Sequence, residues 1–271
     1  METHRSGDND PQRLRLVQFT DCHVGSLAGA EYRGVDARQN LEAVLAQVVA
    51  WRPDVLIGTG DMSEDLGEAS YRYLQERLAR TGLPVLTLPG NHDDADLQQA
   101  LLGPCPVDQP VVHDRGAWRF ILLNSALPGK VPGRLDQTML QGLDRALRDT
   151  RRFKAVFLHH QPLPVGSPWI DRYPLQEPER LWTRLDGRDD VRVVAWGHIH
   201  QAFSAVRGGI TLLGAPSTAA NSLPGRERFL FDPRGPACRW FEFAEDGSFE
   251  TGILGLGWED QSRGSSNQRM M

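Results

Sequence analysis

Five times along this chain a run of apolar residues stops at a short cluster of Asp, Asn or His. The clusters are Asp21-Cys22-His23, Gly60-Asp61, Gly90-Asn91-His92-Asp93, His159-His160-Gln161-Pro162 and Gly197-His198-Ile199-His200. Six of the eight histidines fall in them. Short apolar runs bounded by Gly, Pro and polar residues read as buried strands. The same chemistry is therefore delivered repeatedly to strand ends, where imidazole and carboxylate groups are the raw material of a metal site. Histidines scattered over a surface would not keep finding that position.

The runs and the segments between them set the fold. Strands are expected over 14–20, 55–58, 85–88, 117–124, 155–158 and 191–196, and helices over 36–51, 68–80, 135–150 and 178–185. In 36–51, Leu41, Val44, Leu45 and Val48 share one helical face and Pro53 follows as a stop signal. After residue 200 the pattern changes to short strands over 203–206, 210–213, 238–243 and 249–253, joined by Gly and Pro turns. Alternating strands and helices imply an α/β sheet covered by helices, and the later run of strands adds a second, more antiparallel sheet. The expectation is a four-layer α/β/β/α sandwich of two packed mixed sheets, forming one domain over 13–257. Residues 1–12 and 258–271 are polar and read as disordered tails. The clusters follow the carboxyl ends of strands, the usual ligand edge of open α/β sheets.

Composition narrows the function classes. A net charge of −5 gives no electrostatic footprint for nucleic acid or an anionic membrane. No apolar run approaches the length of a membrane span, and the polar start lacks the apolar core of a signal peptide. Cys22, Cys105 and Cys238 are odd in number and widely spaced, with no C-x-x-C motif, which suits a reducing cytoplasm.

The clusters differ in how much they say. Asp21 and His23 are two residues apart, so in extended chain both side chains reach one side while Cys22 turns away as a small buried filler. Asp61 follows two glycines that let backbone and ions approach, and a carboxylate there can bridge two cations. Asp65 reads as a support for the ligands or a helix cap. In Gly90-Asn91-His92-Asp93, Asn91 offers a neutral oxygen, and His92 is placed over the ions as a general acid or phosphate contact. His159 and His160 diverge on an extended backbone, so only one can be a ligand. His198 and His200 converge, and their spacing fits one imidazole for each ion. Mixed N and O donors suit iron, manganese or zinc rather than magnesium or calcium alone. Two such ions would acidify a water and clamp a phosphoryl oxygen, which is phosphoester hydrolysis.

With those residues in hand, the chain resembles the calcineurin-like metallophosphoesterases. That family runs Asp-x-His, Gly-Asp, Gly-Asn-His-Asp/Glu, a His, then Gly-His-x-His, and all five blocks occur here in order between residues 21 and 200. Within the family the chain looks most like the bacterial class III cyclic nucleotide phosphodiesterases, through residues 18–21, 88–93, 159–171, 197–201, 215–218 and 239–241. The resemblance implies that Asp21, His23 and His200 bind one metal and Asn91, His159 and His198 the other, with Asp61 bridging. Asn91, His92 and His200 would contact the substrate, with His92 protonating the leaving oxygen. His159 is taken over His160 by its place in the family's His-His-Pro-Pro block, where Gln161 replaces the first Pro. The implied reaction is hydrolysis of 3',5'-cyclic AMP to 5'-AMP with two metal ions, iron or manganese foremost and zinc as a third option. Broader phosphodiesterase or phosphatase activity on glycerophosphodiesters or nucleotides is the alternative, and a non-catalytic metal-binding module ranks last. The implied partner is a small cyclic nucleotide or phosphodiester, with neither nucleic acid nor membrane, and the resemblance allows a homodimer.

Overall fold

The computed structural model describes residues 13–258, and the remainder of the two expected tails lies outside the described residues. Trp258, expected in the second tail, is instead held. Its indole N–H donates to the Gly235 carbonyl at 3.2 Å, and the Arg234 guanidinium lies 3.7 Å over its ring.

Eleven strands build two sheets. The first contains β1 (Leu14–Phe19), β2 (Val55–Thr59) and β3 (Val85–Leu88), parallel to one another. The second contains β4 (Val111–Arg115), β5 (Trp118–Leu122), β6 (Phe153–Leu158), β7 (Val191–Trp196), β8 (Phe203–Arg207) and β9 (Ile210–Gly214). Its strand order is β8-β9-β7-β6-β5-β4, parallel from β9 to β5 with an antiparallel strand at each edge. The chain then returns to the first sheet with β10 (Cys238–Phe243) and β11 (Phe249–Leu254), giving the order β11-β10-β1-β2-β3. The late strands thus do not make a second, antiparallel sheet. They divide, β8 and β9 extending one sheet and β10 and β11 extending the other.

Side-chain alternation explains the layering. Successive residues of a strand face opposite sides. Leu16 and Ile57 therefore meet Phe120, Phe157 and Val193 between the sheets, while Val17 and Leu56 face outward. On that outer face lie α1 (Ala37–Trp51) and α2 (Glu68–Ala79), through Leu41, Val44, Val48, Tyr71 and Leu74. The chain continues with α3 (Ala95–Leu102), which packs beside α2 through Leu102, then α4 (Gln137–Ala146), α5 (Pro168–Asp171) and α6 (Glu179–Leu185). Helices α4 and α6 lie on the far side of the second sheet. Leu140, Leu143, Leu181 and Leu185 pack there on Val156, Leu158 and Val194. The fold is the α/β/β/α sandwich.

Differences from the sequence reading are local. The helix expected over 135–150 is shorter because Asp136 accepts from the Met139 amide at 2.7 Å and caps it. The strand β4 and the helices α3 and α5 were missed. Strand β4 alternates too weakly to stand out, with Asp and Arg at its end, and α5 is a single turn.

Candidate metal centre

The clusters meet at one edge of the sandwich. Strands β1, β2 and β3 deliver Asp21 and His23, Asp61, and Asn91 and His92 from one sheet; β6 and β7 deliver His159, His198 and His200 from the other. Local backbone does the aiming. Nine non-glycine residues among those described have positive φ, and five of them are Asp21, His23, Asp61, His198 and His200. Asp21 and His23 converge through these left-handed turns, not through the extended chain expected from their spacing. Such turns cost energy in non-glycine residues and persist where the surroundings enforce them. Here the amides of Asp21 and His23 donate to the Gly60 and Asp61 carbonyls at 2.9 and 3.0 Å. Gly90 lets the loops close: a Cβ there would lie 2.5 Å from the Asp61 nitrogen and 2.8 Å from His159 Cε1.

Two groups of donors result. In one, His200 Nε2 lies 3.2 Å from Asp21 Oδ1 and 3.3 Å from His23 Nε2. In the other, His159 Nε2 lies 3.1 Å from His198 Nδ1. Asp61 stands between them, Oδ2 at 3.7 Å from His23 Nε2 and Oδ1 at 3.4 Å from His159 Nε2. The outer nitrogen of each imidazole is spoken for. His23 Nδ1–H donates to Glu64 at 2.7 Å, His159 Nδ1–H to the Thr59 carbonyl at 2.7 Å, His198 Nε2–H to Tyr173 at 3.1 Å and His200 Nδ1–H to Ala220 at 2.6 Å. Each ring is thereby fixed in the tautomer that turns a lone pair inward.

Inward lone pairs and carboxylates repel unless positive charge sits among them. Asp21 Oδ1 and Asn91 Oδ1 are buried with no hydrogen-bond partner, whereas Asp21 Oδ2 accepts from Thr20 and from the His198 amide. Buried oxygens left unpaired are costly, and cations are what these would bind. The titration behaviour agrees. Burial works against charge on His159, yet Asp61 and Asp21 push it up to about 9, so without a cation a proton takes the place of positive charge on its inward nitrogen, and a bound ion would displace it. Burial likewise opposes charge on Asp61, but His159, His23 and His92 hold it well below the usual carboxylate range. Burial and the neighbouring His159 lower His198 to about 3, keeping a free imidazole lone pair. The residues present fit a pair of cations.

A model of the calcineurin-like phosphoesterases matches residues 14–202. The chain belongs to that family. It is similar to the 3',5'-cyclic adenosine monophosphate phosphodiesterase CpdA of Pseudomonas aeruginosa, 37% identical over 93% of this chain and 94% of the relative. A 3',5'-cyclic-nucleotide phosphodiesterase of Nostoc is 34% identical over 90% of this chain and 93% of its own length. The CpdA phosphodiesterase of Escherichia coli K12 is 32% identical over 89% of both chains. Among solved structures, a dimetal phosphatase from Danio rerio superposes with a TM-score of 0.63 at 14% identity, over 91% of this chain and all of that one. At that identity the likeness concerns the fold. This phosphoesterase is therefore an enzyme of the α/β/β/α class with a metal-type donor cluster, and no helix among its described residues is long and apolar enough to cross a membrane.

Around the phosphoesterase site the structure adds residues that the motifs did not flag. Glu64, not Asp65, supports a candidate ligand: one of its oxygens reaches His23 Nδ1 and lies 3.4 Å from His92 Nδ1. Asp65 serves the loop instead, accepting from the Ser26 and Gly67 amides. Asp93 ties the second and third clusters together through the Met62, Ser63 and Gly90 amides and the Tyr71 hydroxyl. His160 lies close to His159 and His198, but both its nitrogens are engaged: Ser125 Oγ donates to its Nδ1 at 2.9 Å and its Nε2 donates to the Val131 carbonyl at 2.9 Å. Cys22 is fully buried among Val17, Leu41 and Val44, as the filler reading requires. A charged residue one position from an expected one, or a partner distant in sequence, leaves no motif to read.

Proposed function

We propose that the chain hydrolyses 3',5'-cyclic nucleotides, cyclic AMP foremost, to the 5'-monophosphate. The observation that carries this is the convergence of Asp21, His23, Asp61, Asn91, His159, His198 and His200 beneath a partly exposed His92. The chain holding them aligns over 89–93% of its length with relatives named for cyclic nucleotide phosphodiesterase activity. Asp21, His23 and His200 would hold one ion and Asn91, His159 and His198 the other, with Asp61 shared. Their carboxylate, amide and imidazole donors suit iron or manganese, then zinc. When bound, the ions polarise a phosphoryl oxygen and acidify the attacking water.

The chain's own residues then account for selectivity and proton traffic. Asn91, through its amide nitrogen, and the ring edge of His200 would border the phosphate on the floor of the site. The His92 amide donates to Asp61 Oδ1 at 2.8 Å, which fixes its backbone over the centre, while its ring reaches solvent. As the water oxygen forms its bond to phosphorus and the P–O3' bond breaks, the protonated His92 ring gives its proton to O3'. The water's proton leaves to solvent, and 5'-AMP results. The buried, unpaired Cys22, Cys105 and Cys238 support a reducing, cytoplasmic setting.

Turnover of cyclic AMP, cyclic GMP, a bis-aryl phosphodiester and a phosphomonoester, each with manganese added, tests the reading. Cyclic AMP should be the fastest. A monoester or a glycerophosphodiester outrunning it would replace this reading with the broader phosphoesterase.

A further inference from the structure

The rim of the site is chemically lopsided. On one side stand Asn91, His92 and Glu64. On the other, three aromatic side chains from three separate segments close around the candidate ligands His23 and His200. Tyr32 lies face to face on His23, with centroids 3.8 Å apart and planes within 5°. Trp169 from α5 and Phe229 from the loop before β10 each meet His200 edge-on, at 6.3 and 6.1 Å, and meet each other at 5.4 Å. The exposed Arg33 closes the lip: its guanidinium lies 4.1 Å over the Phe229 ring and its Nε donates to the Tyr32 hydroxyl at 3.0 Å.

Two features set this wall apart from core packing. Trp169 and Phe229 remain partly exposed, although His200, which both meet, is buried. The Trp169 indole N–H has no hydrogen-bond partner, an orphan donor in a structure that pairs most of its buried polar groups. Holding the loop there also takes specific bonds. The Trp169 amide donates to the Arg226 carbonyl at 3.2 Å, the Gly225 amide to Ser167 Oγ at 3.0 Å, and the Leu223 amide to the Leu230 carbonyl at 2.7 Å. A phosphate seated over the cations leaves the rest of its ester lying along whichever rim matches it. A flat, heteroaromatic group matches aromatic edges and a guanidinium, whereas the Arg33 cation would repel a choline-like head.

We propose that Trp169, Phe229 and Arg33 form the subsite for the nucleobase of the substrate, which rests on the cyclic-nucleotide reading above. The wall sets affinity for the base and takes no part in bond breaking.

Binding of AMP and of ribose 5-phosphate, measured by calorimetry on the full chain, separates base recognition from phosphate recognition without relying on turnover. Wild type should bind AMP tighter by on the order of 10-fold, as one base–aromatic stack provides. In Phe229→Ala the two affinities should converge through loss of AMP binding alone, and Phe229→Trp should restore the gap. Arg33→Ala, altering an exposed side chain, should narrow the gap with the melting temperature unchanged. Equal loss of both ligands in the variants, or no gap in wild type, overturns the subsite. A clear gap in a protein that does not hydrolyse cyclic AMP would instead overturn the substrate reading and leave the subsite standing.

Discussion

Asp61 and His92 touch through one hydrogen bond, yet they answer to different physics. Asp61 faces both donor groups, one oxygen toward His23 and the other toward His159. Asp61→Ala should therefore lose both ions and nearly all activity; elemental analysis that still finds two ions would refute the bridging role. His92 offers its ring from the rim, 40% exposed, with Glu64 behind Nδ1. His92→Ala should keep both ions and lose turnover by roughly 10²–10⁴-fold, the usual contribution of a general acid. Wild-type turnover in that variant would place the acid elsewhere. Which residues converge at this scale was legible because ligand chemistry admits few side chains. The support from Glu64 was not legible, since its value comes from one oxygen lying near two rings that fold in from residues 23 and 92.

At the scale of elements, each strand works as a rigid arm that carries its ligands to the edge. Strand ends could be read from apolar runs, and α1 could be read to its cap, since Asp36 accepts from the Gln39 amide at 3.0 Å and Arg52 ends the helix in a left-handed turn. The helix expected over 135–150 runs past both ends of α4 because Leu135, before the Asp136 cap, and Leu147, after Ala146, continue its apolar face. The cap supports α4 far from the chemistry. Asp136→Ala should cost about 1 kcal/mol in urea unfolding while leaving kcat unchanged. A fall in kcat of the same size as that of His92→Ala would show that α4 positions the site. The left-handed turns at Asp21, His23, Asp61, His198 and His200 were hidden for the same reason that caps are visible. A cap is a local bond, whereas these turns are enforced by loops from both sheets.

The whole molecule also carries a buried cation away from the site. Lys154 on β6 is fully buried, and its ammonium donates to Asp190 at 2.6 Å and to the Arg152 carbonyl at 2.6 Å. Burial opposes charge on Asp190, but Lys154 and Arg188 hold its pKa below the ordinary 3.8. A carboxyl depressed in the folded state stabilises above its unfolded pKa, and that stability disappears as pH falls through the folded value. Asp190→Ala should cost about 1 kcal/mol at neutral pH, since Asp190 is partly exposed and Lys154 keeps its carbonyl partners, and the deficit should shrink below about pH 4 in acid titrations followed by circular dichroism. A constant deficit across that range would mean the loss is packing alone. The candidate donors and their delivery to strand ends could be read from the chain alone, because both follow from residue type and from periodicity within one segment. The sandwich could be read too, but not which sheet would take each late strand. That division, the tautomer of each imidazole, the bonds that occupy both His160 nitrogens and the aromatic rim emerge only on folding, because each depends on contacts between segments far apart in the chain.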